Sequence, residues 1–129
     1  MARDRIIQGG CSKRRPDGLI DCETHTVIIE IDEDQHRSYE EQCENKRIME
    51  IFRDLGSRPL IVIRLNPDGY TCDGERFGGA FTRTKVDNHL KVNDAIFVHR
   101  LERLLKEVAS AITHVPIREI SIVELFFPS

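Results

Sequence analysis

The sequence predicts an α/β fold, a central mixed β-sheet with flanking α-helices, and three stretches carry that reading. Thr26-Val-Ile-Ile-Glu-Ile-Asp32 is β-branched nearly throughout and reads as a strand. From about Ser38 to Leu55, Tyr39, Cys43, Ile48, Ile51, Phe52 and Leu55 recur as an approximate helical stripe. Arg58-Pro-Leu-Ile-Val-Ile-Arg64 is apolar enough to be a central strand. Strand, helix and strand in that order predict a crossover, with the second strand parallel to its partner and the helix covering the sheet.

The remaining elements follow in chain order. Residues 1–14 form a lead-in broken by Gly9-Gly10. Arg15 to Asp21 is a short strand and Cys22-Glu-Thr-His25 a turn, so residues 15–32 read as a β-hairpin. Gly56 stops the first helix. Asn66-Pro-Asp-Gly69 is a turn, and residues 69–88 read as irregular, with room for a small hairpin between Thr71 and Phe81. Asn93 or Asp94 caps a helix running to about Thr113, with Ile96, Phe97, Leu101, Leu104, Leu105 and Val108 as its core stripe. After Pro116, alternation from Ile117 to Phe127 predicts a final strand. We read residues 1–129 as a single domain: a motif region at 13–68, an insert at about 69–92, and a C-terminal helix and strand at about 94–127.

Composition bounds the function. A chain of 129 residues, 40% hydrophobic and 32% charged, is that of a globular domain rather than a disordered segment. No apolar run is long enough to span a membrane, and the first residues lack the apolar stretch of a signal peptide, so an intracellular protein without membrane contact is expected. The four cysteines are widely spaced and read as free thiols. Cys22 and His25 admit a structural zinc, but no second pair accompanies them. Net charge is -3, which does not advertise a nucleic-acid binder, yet its distribution is uneven. The basic run Lys13-Arg14-Arg15 precedes Asp17, and an acidic run extends from Glu30 to Glu44. Carboxylates hold cations and basic side chains hold phosphates, the pairing a metal-dependent phosphodiesterase needs.

Alternation along the strand puts Val27, Ile29 and Ile31 on one face and Ile28, Glu30 and Asp32 on the other. Carboxylates at the end of an apolar strand must reach water, a base or a metal. The hairpin brings Asp17 to Glu30 although thirteen positions separate them, and His36 follows just past the strand. Magnesium or manganese is held by hard oxygen ligands from such groups.

Arg15-Pro16-Asp17-Gly18, followed by Val27-Ile-Ile-Glu30-Ile-Asp32, resembles the PD-(D/E)XK nuclease motif. Gln35-His36, Glu44-Asn-Lys46-Arg47 and Ile63-Arg64 narrow the likeness to the branch of very-short-patch repair endonucleases and EDxHD homing endonucleases. The resemblance covers about residues 13 to 68 and implies a restriction-endonuclease-like core. It implies a divalent-metal-dependent endonuclease that hydrolyses DNA, most simply double-stranded, using Mg2+ or Mn2+. Asp17, Glu30 and Asp32 would be the metal ligands. The family has lysine where this chain has Asp32, so the resemblance passes acid–base work to His36. Alternatively, Lys46 supplies the missing cation. Lys13, Arg14, Arg15, Arg47 and Arg64 would contact the nucleic acid. The departure at Asp32 also admits a catalytically inactive nuclease-fold domain that binds nucleic acid, and either reading is compatible with a homodimer or a place in a larger protein.

Overall fold

The computed structural model describes residues 16–31, 41–83 and 90–128. Its centre is a four-stranded mixed sheet built from β1 (Gly18–Asp21), β2 (Thr26–Ile31), β3 (Leu60–Leu65) and β8 (Ile120–Leu125), in the order β1-β2-β3-β8. β1 runs antiparallel to β2, and β2, β3 and β8 are mutually parallel. The hairpin and the parallel crossover are thus as the sequence predicts, and the final strand adds to the far edge. All six residues of β3 are buried, which is why its apolar run could be read as central.

Helices α1 (Glu41–Asp54) and α2 (Asp94–Thr113) cover opposite faces. On one face Ile48 of α1 packs on Ile28, Leu60 and Val62, with Ile51, Phe52 and Leu55 beside them. On the other, Leu104 and Ala111 of α2 pack on Val27, Ile61, Ile63 and Leu65. Burying a side chain of this size contributes about 1.5–3 kcal/mol, so these two layers are the main source of stability. The predicted helix start at Ser38 lies outside the described residues. Its end is as expected: Gly56, at φ +81°, closes the helix, with Ser57 N donating to Phe52 O and Gly56 N to Arg53 O. Those two bonds form a Schellman cap, which needs the left-handed conformation that glycine adopts freely.

The insert is more ordered than the sequence suggests. β4 (Tyr70–Cys72) and β5 (Glu75–Phe77) form a hairpin whose turn residues, Asp73 and Gly74, both have positive φ. That geometry matches the twist of the strands it joins. The rings of Tyr70 and Phe77 stack across it at 5.0 Å. β6 (Phe81–Arg83) pairs with β7 (Leu90–Val92) in a second ladder.

Asn93 caps α2, its side chain accepting from Ile96 N. The predicted core stripe of α2 needs correction. Leu104 is buried and Val108 half-buried, but Phe97, Leu101 and Leu105 are exposed. Arg100, which lay outside the predicted stripe, is buried on the core side. The expectation of free thiols holds for Cys22 and Cys72, but Cys43 on α1 is disulfide-bonded. Neither described helix is long and apolar enough to cross a membrane.

Candidate metal and phosphate site

The parallel register aligns a row of charged residues at the carboxyl ends of the strands. Glu30 of β2 pairs with Arg64 of β3, and Arg64 with Glu124 of β8. Gly18 pairs with Ile29 in the hairpin, and one further step brings Asp17 level with Glu30. Asp17 Oδ2 accepts a hydrogen bond from Ile31 N at 2.7 Å, which ties the acid to the end of β2. Ligands in open α/β sheets bind at this end of the strands.

Glu30 is 2% exposed, an unusual place for a carboxylate. Its partners explain how it is tolerated. Arg47, one turn before Ile51 on α1, donates Nη2 to Glu30 Oε2. Arg64 Nε lies 3.6 Å from Glu30 Oε1. Glu44, one turn earlier on α1, accepts from Arg47 Nη1 at 3.0 Å and from Arg64 Nη2 through the same Oε1. Two carboxylates and two guanidiniums therefore alternate in a ring with no net charge. Charges taken out of water cost several kcal/mol each unless paired in this way. The ring is not fully saturated: Glu30 Oε1 and Arg64 Nε are buried and make no hydrogen bond.

Of the residues the sequence singled out, the structure brings Glu30, Arg47 and Arg64 into contact and sets Asp17 at the rim, exposed. Lys46 does not join them. It is exposed on α1 and makes no ion pair with the described residues, so the cation that α1 delivers to Glu30 is Arg47. Asp32, His36, Lys13, Arg14 and Arg15 lie outside the described residues. Among the described residues no group of three or more His, Cys, Asp and Glu is placed to hold a metal ion. Asp17 and Glu30 are level in the sheet register, with Asp17 exposed at the rim and Oε1 of Glu30 buried 3.6 Å from Arg64 Nε.

Sequence reasoning missed Glu44 as a site residue. Its spacing of three from Arg47 was the signal, because it puts both on one helix face. It also missed Arg100, which sits four residues before Leu104 and so on the core face of α2. Arg100 donates to Asn66 O at 2.7 Å, Asp68 O at 2.9 Å and Gly78 O at 2.6 Å. Its guanidinium also lies against the rings of Tyr70 and Phe126. Burial lowers its pKa. Arg100 thereby holds the turn after β3, the insert and the C-terminal segment together.

Other candidates resolve as structural. Asn66 Oδ1 accepts from Asp68 N while Nδ2 donates to Phe126 O, so the residue opens the turn. His25 is buried with Nε2 donating to Ala111 O at 2.7 Å and Nδ1 beside Thr24 Oγ1 at 2.9 Å. Both ring nitrogens are thus engaged, and a zinc shared with Cys22 would have to break one of those bonds. Asp21, at the end of β1, has its pKa lowered first by the hydrogen bond from Glu23 N and then by Arg58.

Comparison with protein-family models, with curated proteins and with solved structures finds no match to this chain.

Proposed function

We propose that this protein is a divalent-metal-dependent endonuclease acting on DNA, with Asp17 and Glu30 at its centre. The observation that carries the reading is the alignment of Asp17, Glu30 and Arg64 in one row at the carboxyl ends of the strands, with Arg47 closing on Glu30 from α1. The antiparallel hairpin followed by a helix and a parallel strand supports a restriction-endonuclease-like core. Asp17, Glu30 and the neighbouring Asp32 would hold Mg2+ or Mn2+. When bound, the cation would polarise a phosphoryl oxygen and make a water more acidic.

The chain's own residues supply the rest. Asp17 anchors to Ile31 N, so its second oxygen stays free at the rim. Arg47 and Arg64 offset the charge of Glu30 inside the fold, so Glu30 can stay ionised there. His36 is the acid–base candidate, with a pKa near neutrality in its ordinary state. Lys13, Arg14 and Arg15 would hold backbone phosphates, and the exposed Lys46 could add to that surface.

A second reading has its own observation. Because Glu30 is already neutralised by two arginines, the centre could bind nucleic acid without cutting it. Nicking of supercoiled plasmid in Mg2+ or Mn2+ separates the two. The enzyme reading expects nicking that chelation abolishes and that Asp17→Asn reduces at least about 100-fold, the scale of losing a group that acts in the transition state. Plasmid binding with nicking equal in both proteins would leave only the binding reading.

A further inference from the structure

A cavity of about 290 Å³ lies between the β4–β5 hairpin and the start of α2. Planar groups line it. Phe77 stacks on Tyr70 with ring centroids 5.0 Å apart. The Arg100 guanidinium lies over the rings of Tyr70 and Phe126, at 5.5 Å and 5.1 Å. His99 meets Phe126 edge to face at 5.6 Å. Arg100 is buried and closes the cavity toward the core, whereas Phe77 and His99 are exposed along it. Two further observations set the cavity apart from a packing gap. Phe126 has φ +64°, a left-handed conformation that bulky residues rarely adopt, and strain of that kind gathers at ligand sites. Among the described residues, no hydrogen bond engages a ring nitrogen of His99 or the hydroxyl of Tyr70. Both lining side chains therefore carry polar groups that the fold does not use.

We propose that this cavity binds a single nucleobase, its ring lying against Phe77 and Tyr70 and its polar edge meeting His99. The inference does not rest on the nuclease reading. Aromatic walls favour a flat ring, because stacked π-systems attract beyond the apolar area they bury. The size agrees. Ligand pockets run from about 300 to 1,000 Å³, so a cavity of about 290 Å³ suits one small ring system. The polar groups select a base over a hydrocarbon ring. A base carries donors and acceptors in its ring plane, which an imidazole and a phenol can meet, whereas a hydrocarbon would leave them unpaired. Arg100 is not placed to hold a phosphate, because its Nη1 and Nη2 already donate to three backbone carbonyls. Among the described residues no other Lys or Arg lines the cavity, so the base and not the phosphate carries recognition. A base inside a duplex is stacked and cannot enter. The base therefore comes from a free nucleoside or nucleotide, or from a single strand.

Titration of the isotope-labelled chain with adenosine, followed by amide NMR, tests the site. Saturable shifts should gather at Tyr70, Phe77, Gly78, Ile96 and His99, with a dissociation constant on the order of 1 mM. AMP should bind within about threefold of adenosine. Phe77→Leu keeps an apolar side chain without the π face and should weaken binding about tenfold, whereas Phe77→Trp should stay within about threefold of wild type. His99→Ala, on the neighbouring helix, should weaken binding about threefold or more. Phe77 and His99 are both exposed, so the urea midpoints of these variants should stay close to wild type. A single-stranded oligodeoxynucleotide separates the two sources. Binding at least about tenfold tighter than AMP, with shifts at the same amides, assigns the site to a base within a strand, and binding no tighter assigns it to the free nucleoside or nucleotide. Absence of saturable shifts with both adenosine and the oligonucleotide would overturn the proposal. So would Phe77→Leu and His99→Ala binding as tightly as wild type, or benzene binding as tightly as adenosine.

Discussion

Glu30 and Arg64 stand side by side on parallel strands, with Arg64 Nε 3.6 Å from Glu30 Oε1 and no hydrogen bond at either atom. Arg47 and Glu44 complete the ring, so each buried charge depends on the others. Glu30→Ala would remove the buried carboxylate that Arg47 and Arg64 share. We expect a loss of about 3–5 kcal/mol, the scale of breaking a buried pair from one side. Glu30→Gln keeps the shape and one acceptor and should lose less. Urea unfolding of the three proteins measures both, and a Glu30→Ala midpoint equal to wild type would show that the ring does not support the fold.

Arg47 and Lys46 are neighbours in sequence but not in role. Arg47→Ala should destabilise by about 3 kcal/mol because it takes from buried Glu30 its hydrogen-bonded cation and leaves it only the longer contact to Arg64. Lys46→Ala should stay within about 0.5 kcal/mol, as an exposed substitution does. Thermal unfolding of the pair checks the contrast, which disappears if α1 delivers Lys46 rather than Arg47 to the site.

The hairpin, the helix after it, the parallel crossover and the final strand were all legible, because each rests on local apolar periodicity. Glu30 was legible for the same reason, as an acid where the strand pattern wants an apolar residue. Its partners were not. Which of Lys46 and Arg47 faces the sheet depends on the rotation of α1, and that is set by Ile48, Ile51 and Phe52 packing on β2 and β3. The stripe itself contained this information, since Arg47 lies four residues before Ile51 and Lys46 does not. Arg100 escaped because a buried arginine contradicts the apolar expectation for a core position. Its solution is non-local: carbonyl groups from the turn after β3 and the end of the β4–β5 hairpin converge on it.

Arg100→Met should keep much of the volume and lose the three bonds to carbonyl oxygens. Stranding buried acceptors costs about 1–3 kcal/mol each before relaxation, so a net loss of roughly 3 kcal/mol is expected. Amide hydrogen exchange should rise in residues 66–78 more than in β2. Uniform exchange across both segments would contradict the role assigned to Arg100.

Asp21 makes a testable contribution to acid stability. Its folded pKa is lowered from 3.8, chiefly by the hydrogen bond from Glu23 N and then by Arg58. A depressed carboxylate stabilises the fold fully at pH above its unfolded value, and that stabilisation is lost as pH falls toward and through the lower folded value. Asp21→Asn should therefore be less stable than wild type at neutral pH, with the difference shrinking below about pH 4. Urea midpoints recorded across that interval check the sign, and a difference that widens on acidification would refute it.

The most direct measurement is calorimetric titration of the protein with Mn2+, alone and with Asp17→Asn. Asp17 lies at the exposed rim, and asparagine can still accept the bond from Ile31 N, so the variant should fold as the wild type does. If Asp17 and Glu30 form a metal centre, the wild type binds Mn2+ and Asp17→Asn binds at least about tenfold more weakly, as expected on losing a charged oxygen ligand. Equal binding by the two proteins, or no binding by the wild type, would contradict the metal centre.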